Sequence, residues 1–229
     1  QGGMMHSLRL TPFALVALLV IGLAAPAYGI QIADYLGYAW LSAGFPPTAA
    51  GESFDFVGVA DAVDPLAGVD LANEEVTFHI SGLEFSFANP NDPAPGFTTY
   101  YFTGGMLDMY RDSAKNADTG INPPSGTVPS TFTDGVLMLH ASFTSFGMTV
   151  DPTGAGSYGG AADGISGELI TACSGCIFTW GGSFSADIGA QVPEGYDLQL
   201  DGILDIDPTV PVEDQKAWGV LKASFDSNR

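Results

Sequence analysis

The chain is poor in positive charge. Six Lys and Arg stand against 26 Asp and Glu, a formal charge of −20. Such a field repels nucleic acid and anionic membrane surfaces, so neither is expected as a partner. Histidine and cysteine are scarce as well, with three and two residues. A zinc site needs about four ligands, and beyond the cysteines the mature chain offers only His79 and His140, on separate predicted strands. No G-x-S-x-G elbow is present, so a serine hydrolase lacks its nucleophile signature. No N-x-S/T acceptor site occurs, which fits a bacterial source. No stretch of about eleven residues carries a helical stripe in the mature chain. No catalytic motif rises above chance.

The one long apolar run lies near the N-terminus. Residues 4–29 read MMHSLRLTPFALVALLVIGLAAPAYG, with Arg9 as the basic flank and Phe13 to Leu23 apolar. Ala25-Pro26-Ala27 supplies a small-residue cleavage signature, so this is an export signal cut after Ala27 or Gly29. Gln1-Gly2-Gly3 precede it as upstream residues, and 1–29 are set aside from the fold. The product, residues 30–229, is read as a single all-β domain of roughly 200 residues. Neither a lipid-carrying Cys nor a C-terminal hydrophobic tail is seen. The expectation is a secreted or periplasmic protein without stable membrane insertion after cleavage.

Arg9 leaves with the signal, so five basic residues face the 26 acids. That balance suits solubility in salty water or divalent cation binding. Aromatics and hydrophobics are ample for a core, while 30 Gly and 15 Pro with few charges point to many short strands joined by turns. Alternation is clear where Phe54 and Phe56 oppose Asp55 and Val57, and where Val76, Phe78 and Ile80 oppose Thr77 and His79. The phase shifts at Ser81-Gly82, which marks a bulge or turn. Gly104-Gly105 breaks 98–110 into a bulged strand or a hairpin. Residues 112–133 and 151–164 read as loops, and 165–173 with 176–185 as a hairpin around Ser174-Gly175. In 196–207, Leu198, Leu200, Leu204 and Ile206 face one way and the acids the other. A closing strand is expected at 216–225. The count of about ten strands favours an antiparallel β-sandwich of jelly-roll type, with a closed β-barrel as the alternative.

The runs Phe102-Thr-Gly-Gly-Met-Leu-Asp-Met-Tyr, Ala117-Asp-Thr-Gly-Ile-Asn-Pro-Pro, Pro129-Ser-Thr-Phe-Thr-Asp-Gly-Val-Leu and Pro193-Glu-Gly-Tyr-Asp resemble a group of uncharacterised secreted bacterial β proteins. Some of its members carry a C-terminal sorting anchor that is not seen here. The resemblance implies export and a β fold, and brings no catalytic residues with it.

Three constellations remain. Cys173-Ser-Gly-Cys176 lies between β-type segments, without the helix N-terminus that a redox pair needs and with Ile177 where a haem site needs His. A structural disulfide is its simplest reading. Asp112, Asn116, Asp118 and Asn122 alternate oxygen ligands around Gly120, a candidate calcium loop against the plainer reading of an Asx-rich turn. Asp201, Asp205 and Asp207 form an acidic ladder that a cation would relieve, or that simply discourages strand pairing. His79 and His140 are each placed to pair with a carboxylate. Together these features describe a non-catalytic, exported β module for binding or structure, with calcium as its candidate ion. A surface glycan or protein is the partner class, and self-assembly is left open. The alternatives are a carbohydrate-binding or carbohydrate-active domain and a small outer-membrane barrel.

Overall fold

The computed structural model describes residues 29–119, 130–173, 175–186 and 192–207. The expected export signal up to residue 28, Asn122 and the expected strand at 216–225 lie outside them. Eight strands run in chain order: β1 (Ile30–Leu41), β2 (Ser53–Val63), β3 (Glu75–Pro90), β4 (Thr98–Asp112), β5 (Val136–Val150), β6 (Gly156–Ser166), β7 (Ile177–Ser185) and β8 (Leu198–Asp207). Each pairs antiparallel with the next, and β8 pairs back onto β1, so a single sheet closes into a barrel. The barrel alternative thus replaces the sandwich expectation, with eight strands among the described residues. Period-2 alternation is the same for a sandwich and a barrel; closure depends on β1 meeting β8, from Ile30↔Ile206 to Ala39↔Leu198.

Two of the supposed strand breaks are kinks within long strands. Gly82 and Gly105 lie opposite one another in β3 and β4, both with positive φ, and the register of β3 against β2 slips by a residue there. Glycine carries that backbone without strain. The supposed loop 151–164 is largely strand β6. Its inward positions hold Tyr158 and Ala162, which join the core, and Gly156, Gly160 and Gly164, where a Cβ would lie 2.2 Å from Phe184, 2.9 Å from Phe146 and 2.1 Å from Ile170. Bulky neighbours take the room at those glycines, which leaves the strand few of the apolar side chains that would have revealed it. The supposed strand 165–173 contains a short helix, α1 (Glu168–Ala172), instead.

The inner face of the barrel is apolar and full. Tyr35 stacks on Trp180 at 3.8 Å, with Phe56 and Phe78 edge-on to the same indole. Phe54, Phe102 and Phe146 form a second ring group. A barrel of about eight strands is just wide enough for such side chains. Phe45, in the β1–β2 turn, packs on Phe184 and Tyr100 at one end. Leu169 and Ile170 of α1 join the core at the other, with the disulfide-bonded Cys173 and Cys176. The outward positions carry Asp34, Asp55, Asp61, Glu84, Asp163, Asp201, Asp205 and Asp207, none of them buried. No helix among the described residues is long and apolar enough to cross a membrane.

Candidate functional site

Inside the barrel, polar chemistry is confined to a tyrosine pair and one indole. The Tyr35 and Tyr158 hydroxyls share a 2.5 Å hydrogen bond, and burial pushes both phenols above their ordinary range. Gly202 makes space for them: a Cβ there would sit 2.3 Å from the Tyr158 oxygen. Trp180 Nε1 is buried without a partner. Among the described residues no Asp, Glu, His, Lys or Arg belongs to this core.

The outer wall carries more. One row crosses it at right angles to the strands, with Val57 on β2 opposite His79 on β3, His79 opposite Asp108 on β4, and Asp108 opposite His140 on β5. His140 Nδ1 lies 2.5 Å from Asp108 Oδ1, at the half-exposed end of the row. His79 is nine-tenths buried, and its Nε2 finds no hydrogen-bond partner. Its burial holds the imidazole below the ordinary histidine range, and the nearby Asp108 opposes this in part. Ser166 on β6 is next in register after His140, yet no hydrogen bond joins them among the described residues. A carboxylate–imidazole pair is therefore present without an engaged nucleophile.

Beside this row, the outside of β1–β3 holds a small second core. Trp40, Val57, Phe132, Val192 and Tyr196 pack together with Tyr38, Val59 and Ala117 around them. Phe132 arrives on the connection after β4 and is fixed where Thr77 Oγ1 donates to its carbonyl at 2.9 Å. Val192 and Tyr196 come from the connection before β8, where Asp197 Oδ2 accepts the Leu41 amide at 2.7 Å. Partial burial pushes the Asp197 carboxyl up and that of Asp55 likewise. Trp40 Nε1 and Tyr196 Oη are buried without partners, and burial raises the Tyr196 phenol to about 12. Trp40 and Tyr196 fall in segments that the alternation reads as strands, 30–42 and 196–207, and nothing in that pattern brings the two together. Asp108 was missed, because nothing in one strand tells which residue stands opposite in another.

The cysteines form the structural disulfide, with Cys173 at the C-terminal end of α1 rather than at a helix N-terminus. Of the candidate calcium loop, Asp112 Oδ1 accepts the Ala114 amide and Asn116 Nδ2 donates to Asp134. The Asp118 amide donates to Thr131 Oγ1. Glu75, absent from the sequence-based set, accepts the Asn116 and Ala117 amides and anchors the loop to β3. The Asp112–Ala114 bond is a local Asx turn, while the others tie the segment to Glu75, Thr131 and Asp134. Asp201, Asp205 and Asp207 share the outer face of β8; Asp201 and Asp205 border a groove of about 420 Å³ over Gly181 and Gly202. Partial burial and the Asp207 charge push Asp205 up, and Thr179 donates to Asp207. No group of three His, Cys, Asp or Glu among the described residues could hold a metal ion.

In class, this is an up-and-down barrel of eight antiparallel strands with a filled apolar interior and an acidic outer face. No family profile, curated protein or solved structure matches the chain.

Proposed function

We propose that the protein is an exported, non-catalytic barrel that works through its outer surface, as an extracytoplasmic binding or structural module. The observation that carries this reading is the filled interior. Tyr35, Phe56 and Phe78 converge on Trp180 inside the barrel, stacked as close as 3.8 Å, which supports a partner met on the outside. Apolar inside and carboxylates outside is also the reverse of a membrane barrel, whose lipid-facing band is apolar. The bonded cysteine pair suits an oxidising compartment. Expression of the full chain in a bacterium, followed by fractionation, tests this. The expected product is cut near Ala27 or Gly29 and recovered outside the cytoplasm without detergent. An uncut cytoplasmic product, or one released only by detergent, overturns it.

One observation favours a carbohydrate as the partner. Phe87, more than half exposed, stacks on Tyr101 at 4.8 Å on the outer wall, and the Tyr101 hydroxyl donates to Asp92. An open ring face beside a carboxylate is the surface on which a neutral sugar stacks. Pull-down on insoluble neutral glycans is expected to retain the protein and to lose the Phe87→Ala variant. Equal retention of both forms removes this reading and leaves the first standing.

A further inference from the structure

Both histidines among the described residues stand in one outward row, on either side of Asp108. They are not equivalent. His140 is partly exposed and already has its Nδ1 on the Asp108 carboxylate. His79 is nine-tenths buried with an unpartnered Nε2. Burying an imidazole that way is costly when it is neutral, and far more so once it is charged.

His79 also sits at the margin of the outer core. Val57, its register partner, lies within that core beneath Phe132, Val192 and Tyr196. Thr77, the next outward residue on β3, holds the Phe132 carbonyl. We propose that His79 is an acid-operated latch: a proton gained there loosens segments 130–134 and 192–197 from the β1–β3 wall, while the barrel stays closed. The surface so released carries Tyr38, Trp40, Val57 and Val59.

The sign follows from burial. Attached, His79 titrates below the ordinary histidine value; detached, it returns to about 6.5. The detached form then binds more protons, so attachment is at full strength above about pH 6.5 and weakens as pH falls through that value. Each unit of depression is worth about tenfold in the equilibrium. The ionisable groups around His79 are Asp108 opposite on β4, Tyr110 and Asp55 diagonal to it on β4 and β2, and His140 beyond Asp108. Glu75 stands at the start of β3, and Tyr38, Asp118 and Tyr196 belong to the outer core or its rim. Asp197 belongs to the cover itself and partial burial raises its carboxyl, so it needs a separate control.

Hydrogen exchange of the full chain, read by mass spectrometry at about pH 7.5 and about pH 5 and corrected for intrinsic rates, brackets this titration. Protection of 130–134 and 192–197 is expected to fall about tenfold at the acid pH for each unit of depression, while β5–β8 keep theirs. His79→Phe is expected to hold both segments at either pH, and Asp197→Asn to behave like the parent. Segments equally protected at both pH values overturn the latch, as does the same acid loss in His79→Phe or its disappearance in Asp197→Asn. Should His79→Phe fold poorly, the imidazole titration of the parent decides by NMR: a pKa at or above 6.5 overturns it.

Discussion

The barrel interior and the outer core are built from the same kinds of residue and solve the same problem differently. Inside, large rings face glycines placed to receive them, and the Tyr35 and Tyr158 hydroxyls satisfy each other. Only Trp180 Nε1 lacks a partner there. Outside, a far smaller cluster rests on two connections that arrive from opposite ends of the barrel. It has two unpartnered polar atoms, Trp40 Nε1 and Tyr196 Oη, and His79 Nε2 beside it. Each such group costs about 1–3 kcal/mol when buried. The lesson is one of division: the closed ring of strands carries the stability, and the outer core is the part that can be undone without opening it.

The largest effect should come from the ring. Trp180→Ala removes the indole on which Tyr35, Phe56 and Phe78 converge, and is expected to lower unfolding stability by about 3–5 kcal/mol in a denaturant titration. Trp40→Ala empties a far smaller cluster on the outer wall, so a smaller loss of about 1–3 kcal/mol is expected. Equal losses for the two would break the comparison. Next in size is the disulfide, which ties down the plug at one barrel end. Cys173→Ser with Cys176→Ser opens a very short loop and should cost about 2 kcal/mol on the chain-entropy model. The smallest effect concerns the loop that carries Phe132 to the outer core. No group of three metal-ligating side chains gathers there among the described residues, and Asp112 Oδ1 and Asn116 Nδ2 are hydrogen-bonded, so thermal melts in calcium and in EDTA at equal ionic strength should coincide. A midpoint rising with calcium would instead restore the ion to the outer core as a support.

Much of the wall was legible in the sequence. Leu198, Leu200, Leu204 and Ile206 point inward as their alternation requires, and Phe54, Phe56, Val76, Phe78 and Ile80 do the same. β6 was not legible, because only Tyr158 and Ala162 interrupt the inward glycines Gly156, Gly160 and Gly164, whose room is taken by Phe184, Phe146 and Ile170 from elsewhere. The row His79–Asp108–His140 was half legible. His79 could be placed opposite Val76, Phe78 and Ile80 and His140 within an alternating strand, but the choice of Asp108 depends on register carried across strands with bulges.

Closure has a consequence in time. Ile30 pairs with Ile206, so the first strand waits for the last before the ring exists. A chain delivered end-first, from a ribosome or through a pore, holds at most an open, twisting ribbon of seven strands until β8 arrives. Until then β1 and β7 both present free backbone edges, open to a neighbouring molecule as much as to their own partner. The interval between β7 and β8 is thus when the nascent protein is most exposed to aggregation, and its length is set by the speed of delivery.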